Sequence, residues 1–124
     1  MIKENILKGH EHHKHISEKE LYEAYKLFFN TFSSEQRLRI LNLLRKKEMN
    51  VSEIIEKTGF EQSVVSHNLK RLKSCGFVDV EIKGKYRYYK VNDKTIKRIM
   101  DLIDRHMGEH CLVIIKKLKV ERRK

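Results

Sequence analysis

The chain of 124 residues contains no proline, only five glycines and only two cysteines. With no proline and so little glycine, the two residues that most often punctuate irregular structure, long loops and linker segments are not expected. Cys75 and Cys111 lie far apart, with no framework spacing, and read as reduced thiols of a cytosolic protein. No apolar run approaches the roughly 18 residues that a membrane span requires. The first residues, Met1-Ile2-Lys3-Glu4-Asn5, lead into charge and histidine rather than an apolar leader core, so a cytoplasmic location is expected. Also missing are a glycine-rich phosphate loop, a nucleophile with its base, and paired carboxylates in an apolar setting. No enzyme is expected.

What the chain has is charge. Charged residues make up 36% of it, and 28 Lys plus Arg against 17 Asp plus Glu leave a formal net charge of +11. The 40% apolar content is enough for one domain around one modest core. A surplus of positive charge concentrates polyanions at the surface, with nucleic acid the leading partner and an anionic membrane surface the rival.

Along the chain, residues 1–16 read as a flexible arm rich in histidine, at His10, His12, His13 and His15. Residues 17–120 read as the folded domain and 121–124 as a basic tail. Ser17 and Glu20 have capping-box spacing, and Leu21, Ala24, Tyr25, Phe28, Phe29 and Phe32 behind them form the buried stripe of a first helix. Ser33 with Gln36 offers a second capping box, ahead of a helix carrying Leu38, Ile40, Leu41, Leu43 and Leu44. A short third helix is capped by Asn50 or Ser52 and stopped by Gly59. A fourth spans 61–74, with Val64, Val65, Leu69 and Leu72 inward. The period then changes to two in 77–83 and 85–91, alternating runs joined at Gly84, which predicts a hairpin. Asn92 or Asp93 then caps one long last helix with a stripe from Ile96 to Leu118. A small domain cannot bury so long a stripe, which points to pairing with a second copy.

The order of four helices, hairpin and helix is that of a mainly α, winged helix-turn-helix fold. Thr58-Gly59-Phe60-Glu61 supplies the tight turn, and the helix after it enters a major groove by its N-terminal end. At that end Gln62, Ser63, Ser66 and His67 suit base edges, and Lys70 and Arg71 suit phosphates. Lys83, Lys85 and Arg87 surround the hairpin tip, placed for a minor groove or backbone. Of Tyr86, Tyr88 and Tyr89, at least two are expected on the core.

At this point the chain resembles a known family. Phe32-Ser33-Ser34-Glu35-Gln36-Arg37-Leu38-Arg39-Ile40-Leu41 resembles the start of the second helix of the ArsR/SmtB repressors. Residues 62–72, Gln-Ser-Val-Val-Ser-His-Asn-Leu-Lys-Arg-Leu, are similar to its recognition helix, and Cys75-Gly76-Phe77-Val78 with 84–89 to its wing. Asn68 departs from the family, which usually has His at that place. The resemblance covers about residues 20–120 and implies a homodimeric repressor of a palindromic double-stranded DNA operator, released by an inducer. It places the dimer interface on the first and last helices, through Leu21, Tyr25, Ile99, Ile103, Met107, Cys111 and Ile114.

The same resemblance directs attention to metals. Asn50-Val51-Ser52 occupies the place of the family's Cys-Val-Cys thiol site, so that site is not expected. In the last helix, Asp93 and His106 match the family's ligands, Thr95 replaces one His, and Glu109 stands in for another, with His110 beside it. Independently, His106 and His110 are four apart and share a helical face, a chelating pair suited to Zn, Ni or Co. The N-terminal histidines are further candidate ligands. No cofactor is required in this reading; the metal is an effector. Two alternatives stay open: a metal-buffering protein working through its histidine arm, and a regulator independent of metal, constitutive or switched by oxidation of Cys75 or Cys111.

Overall fold

The computed structural model describes residues 16–123, so the histidine arm expected at 1–16 lies almost wholly outside the described residues. Helix α1 spans Glu18–Phe32, α2 Glu35–Lys46, α3 Val51–Thr58 and α4 Gln62–Ser74. Strands β1 (Val78–Lys83) and β2 (Tyr86–Val91) follow, then α5 (Ile96–Glu109) and α6 (Cys111–Arg123). The strands pair antiparallel from Val78 with Val91 to Lys83 with Tyr86. Gly84 turns the hairpin with a left-handed φ of 63°, a conformation glycine adopts without penalty.

The core collects the inward stripes of the helices and the base of the hairpin. Ile40, Leu41 and Leu44 of α2 meet Ile54 of α3, Val65, Leu69 and Leu72 of α4, Phe77, Val78 and Val91. Ile96 and Met100 close it from α5. Phe77 also meets the rings of Phe28 and Phe32, 5.3 and 4.8 Å away, and so fastens α1 to the base of the wing. Of the wing aromatics only Tyr89 packs against the core, one ring where at least two were expected: Tyr86 and Tyr88 alternate onto the other face of β2, where Tyr86 is exposed and Tyr88 half-buried with Lys83 Nζ 5.5 Å from its ring centroid. Met49 forms an isolated bridge with Tyr89 through two backbone hydrogen bonds of 3.0 and 2.8 Å. The wing is thereby tied to the segment that leads into α3.

Local chemistry explains the helix ends. Ser17 and Glu20 form the expected capping box of α1, and Asn50 rather than Ser52 forms one with Glu53 at α3. The expected Ser33–Gln36 box is not made. Ser34 caps α2 by accepting from the Arg37 N–H, while the Ser33 hydroxyl donates back to the Asn30 carbonyl and ends α1. Asn92, not Asp93, accepts from the Lys94 and Thr95 N–H groups, and α5 begins only at Ile96.

Two further expectations change. The single long last helix is two helices that meet at His110, where φ is −125° and ψ is −65°. Gly108, a weak helix former, sits just before the break. Residues 121–123, expected as a tail, continue α6. Second, the α1 stripe is only partly buried within one chain: Leu21, Phe28 and Phe32 turn inward, but Phe29 is 62% exposed and Tyr25 is exposed as well. Along α5 and α6, Leu102, Ile103, Met107, Leu112, Ile114 and Leu118 are likewise exposed. Among the described residues no helix is long and apolar enough to cross a membrane.

Candidate nucleic-acid interface

Helix α3 ends at Gly59, whose left-handed φ of 76° makes the bend and whose N–H reaches the Ile55 carbonyl at 2.8 Å. The Phe60 N–H donates to the Thr58 hydroxyl, and the Phe60 ring turns in against the core. Three residues therefore separate α3 from α4, and the turn is rigid.

Helix α4 divides cleanly by face. Val65, Asn68, Leu69 and Leu72 are buried, whereas Gln62, Ser63, Ser66, His67 and Lys70 are all exposed. At spacings of three and four these five share the outward face of the first two turns. Glu61 caps this end without a side-chain hydrogen bond, so the first amides of α4 point outward, where a phosphate oxygen is favoured. Arg71 is half-buried, and its charge adds to burial in lowering the pKa of the Arg37 guanidinium.

At the hairpin tip, Lys83, Lys85 and Arg87 are exposed as expected, but they are not equivalent. The Lys83 ammonium donates to the Glu48 carboxylate, a hydrogen bond that raises its pKa above the usual lysine value. Lys85 and Arg87 have no acidic partner among the described residues. The wing therefore offers two uncompensated cations where the sequence promised three.

The buried face of α4 carries residues that periodicity did not mark. The Asn68 amide donates to the Val64 carbonyl at 3.0 Å and to Gln36 Oε1 at 3.4 Å, and Asn68 Oδ1 accepts from Arg37 Nη1 at 3.3 Å. A polar residue standing in the Val65-Leu69-Leu72 stripe was the available signal. Farther off, Arg45 of α2 spans Asn42, Asp101 and Asp104, and so holds α5 to the helix-turn-helix body. Burial disfavours its charge, but the hydrogen bonds to Asp101 and Asp104 outweigh that and raise its pKa.

The candidate metal ligands separate into two groups. Asp93 precedes α5, whereas His106, Glu109 and His110 lie about 15 to 21 Å along the axis from its first residue, at the far end. The rings of His106 and His110 lie side by side, tilted by 38° with centroids 4.6 Å apart, and His110 Nε2 lies 3.8 Å from Glu109 Oε2. Among the described residues, no three His, Cys, Asp or Glu side chains of one chain gather around a common point. The described residues of one chain thus supply part of a four-ligand set. Cys75 is half-buried beside the Thr31 hydroxyl and Cys111 is exposed.

A three-residue turn, an outward polar face on the second helix and a cationic hairpin beside it define a winged helix-turn-helix DNA-binding regulator. Known proteins agree. The model of the "Bacterial regulatory protein, arsR family" matches residues 34–80. An uncharacterised HTH-type transcriptional regulator of Methanocaldococcus jannaschii is 35% identical over 86 residues, which are 68% of this chain and 97% of that protein. The cadmium resistance transcriptional regulatory protein CadC of Listeria innocua is 34% identical over 76 residues, 60% of this chain and 64% of that one. The solution structure of a homodimeric winged helix-turn-helix DNA-binding domain from Mycobacterium bovis superposes with a TM-score of 0.69 at 29% identity, covering 77% of this chain and 90% of that one. The chain belongs to the arsR family of regulatory proteins. It spans nearly all of the archaeal relative, but less than two thirds of the cadmium regulator.

Proposed function

We propose that the protein is a cytoplasmic, homodimeric transcriptional repressor that reads a palindromic operator through the first two turns of α4. Gln62, Ser63, Ser66 and His67 contact base edges in the major groove, and Lys70 and Arg71 set the helix on the backbone. Lys85 and Arg87 of the wing hold the flanking phosphates, and Lys83 contributes less because Glu48 already neutralises it. The observation that carries this reading is the unbroken polar face of α4, opposite a fully apolar-packed one except at Asn68. The homodimer is supported by the exposed apolar residues of α1, α5 and α6, among them Tyr25, Phe29, Ile103, Met107 and Ile114. Leu21, Ile99 and Cys111 lie along the same helices.

Selection from a random duplex pool is the test. One palindromic motif should emerge, with half-sites about one helical turn, or a multiple of it, apart. Failure to enrich any motif at moderate salt overturns the reading.

A metal effector is the second part of the proposal, favoured by the side-by-side His106–His110 pair. Two imidazoles at this spacing bind a divalent ion such as Zn, Ni or Co, and a partner protomer or the N-terminal histidines complete the set. Glu109 and Asp93 are the remaining candidate ligands on this helix. Replacing both His106 and His110 by Ala should abolish tight binding of Zn or Ni and with it any metal-dependent release of DNA. Tight binding that leaves DNA affinity unchanged would favour buffering instead.

A further inference from the structure

Arg37 is the third residue of α2, yet its guanidinium works on two other segments, the end of α1 and the inner face of α4. Nε donates to the Thr31 carbonyl at 2.9 Å and Nη2 to the Asn30 carbonyl at 3.0 Å, both at the C-terminal end of α1. That last turn has no basic residue of its own, so Arg37 supplies the cation that the negative end of the helix dipole favours. The third prong, Nη1, reaches Asn68 Oδ1 on the inner face of α4. Asn68 is only 4% exposed and, among the described residues, the sole buried polar side chain of α4. Its amide group is fully used, between Val64, Gln36 and Arg37.

Such an arrangement is sensitive to rotation. Side-chain tips lie about 5 Å from a helix axis, so turning α4 by about 10° moves them by about 1 Å. A shift of that size breaks a base-edge hydrogen bond, whereas a flexible lysine follows its phosphate. Purely apolar packing tolerates small rotations; a directional amide contact does not.

We propose that Asn68 and Arg37 form a positioning joint, tying the rotation of α4 to the end of α1 and so fixing how Ser63, Ser66 and His67 meet bases. The proposal rests on the reading of α4 as the DNA-reading helix. It makes sequence discrimination, not general DNA affinity, the quantity these two residues control.

The experiment uses the full chain and the motif selected for the wild type. It measures the ratio of affinities for selected and scrambled duplexes, the salt dependence of each, and the melting temperature. Asn68→Ala and Arg37→Lys should each lower the ratio about tenfold, with the salt dependence unchanged. Asn68→Asp should lower the ratio less than Asn68→Ala does, by about threefold, because its carboxylate still accepts from Arg37 and the Gln36 amide turns to donate, although the donation to the Val64 carbonyl is lost. A merely structural role would lower the melting temperature and leave the ratio alone, and that result overturns the joint. So does an equal loss in Asn68→Asp and Asn68→Ala. If Asn68→Ala does not fold, the ratio for Arg37→Lys decides. A wild-type protein that shows no discrimination at all overturns the reading of α4 itself, before any substitution is compared.

Discussion

Replacing Lys85 and Arg87 together by alanine should flatten the salt dependence of DNA binding by a calculable amount. Each phosphate neutralised by a protein cation contributes about 0.9 to the slope of log affinity against log salt. Two uncompensated cations on each of two wings make four contacts, so the double variant should lose about 3.6 from the slope. Between about 50 and 200 mM salt, the wild type should then weaken by a factor about 150 times larger than the variant does. Lys83→Ala should change the slope by less than half as much as Lys85→Ala, because the Lys83 ammonium already rests on Glu48. Fluorescence anisotropy on the selected duplex over this salt range reads all four proteins. Equal slope changes for Lys83→Ala and Lys85→Ala would refute the reasoning, as would a double variant whose slope falls by less than about 1.

Three other outcomes follow from the packing and the surfaces. Asn50→Ala removes the capping box of α3 and should cost about 1 kcal/mol in urea unfolding, with an unchanged m value. Arg45→Met breaks the link from α2 to Asp101 and Asp104; since both carboxylates are half exposed, the loss should be about 1 kcal/mol and should shrink in high salt. Phe29→Glu combined with Ile103→Glu puts charge on the open apolar faces of α1 and α5, and analytical ultracentrifugation should find a monomer with weakened DNA binding.

The helix-turn-helix and the wing were legible because each is written in short-range pattern. The 3.6-residue stripe of α4, the change to alternation after Gly76 and the glycines at 59 and 84 are all local signals. Within that range the errors were of one residue, as where Ser34 rather than Ser33 caps α2. Both serines carry the right hydroxyl, and only backbone dihedrals choose between them. What the pattern could not carry was pairing across distance. Glu48 meets Lys83 across 35 positions and Arg37 meets Asn68 across 31, and periodicity holds no record of either. The break at His110 escaped for another reason: the apolar stripe runs on across it, although the backbone does not.

The two-bond bridge between Met49 and Tyr89 has a consequence for control. Because it ties β2 to the segment entering α3, the wing and the helix-turn-helix are joined by backbone as well as by packing. On the proposed reading the two meet a half-site together, as one template. On the same reading, what an effector would adjust is the stride between two such templates, and a change in that stride would take both off the operator at once.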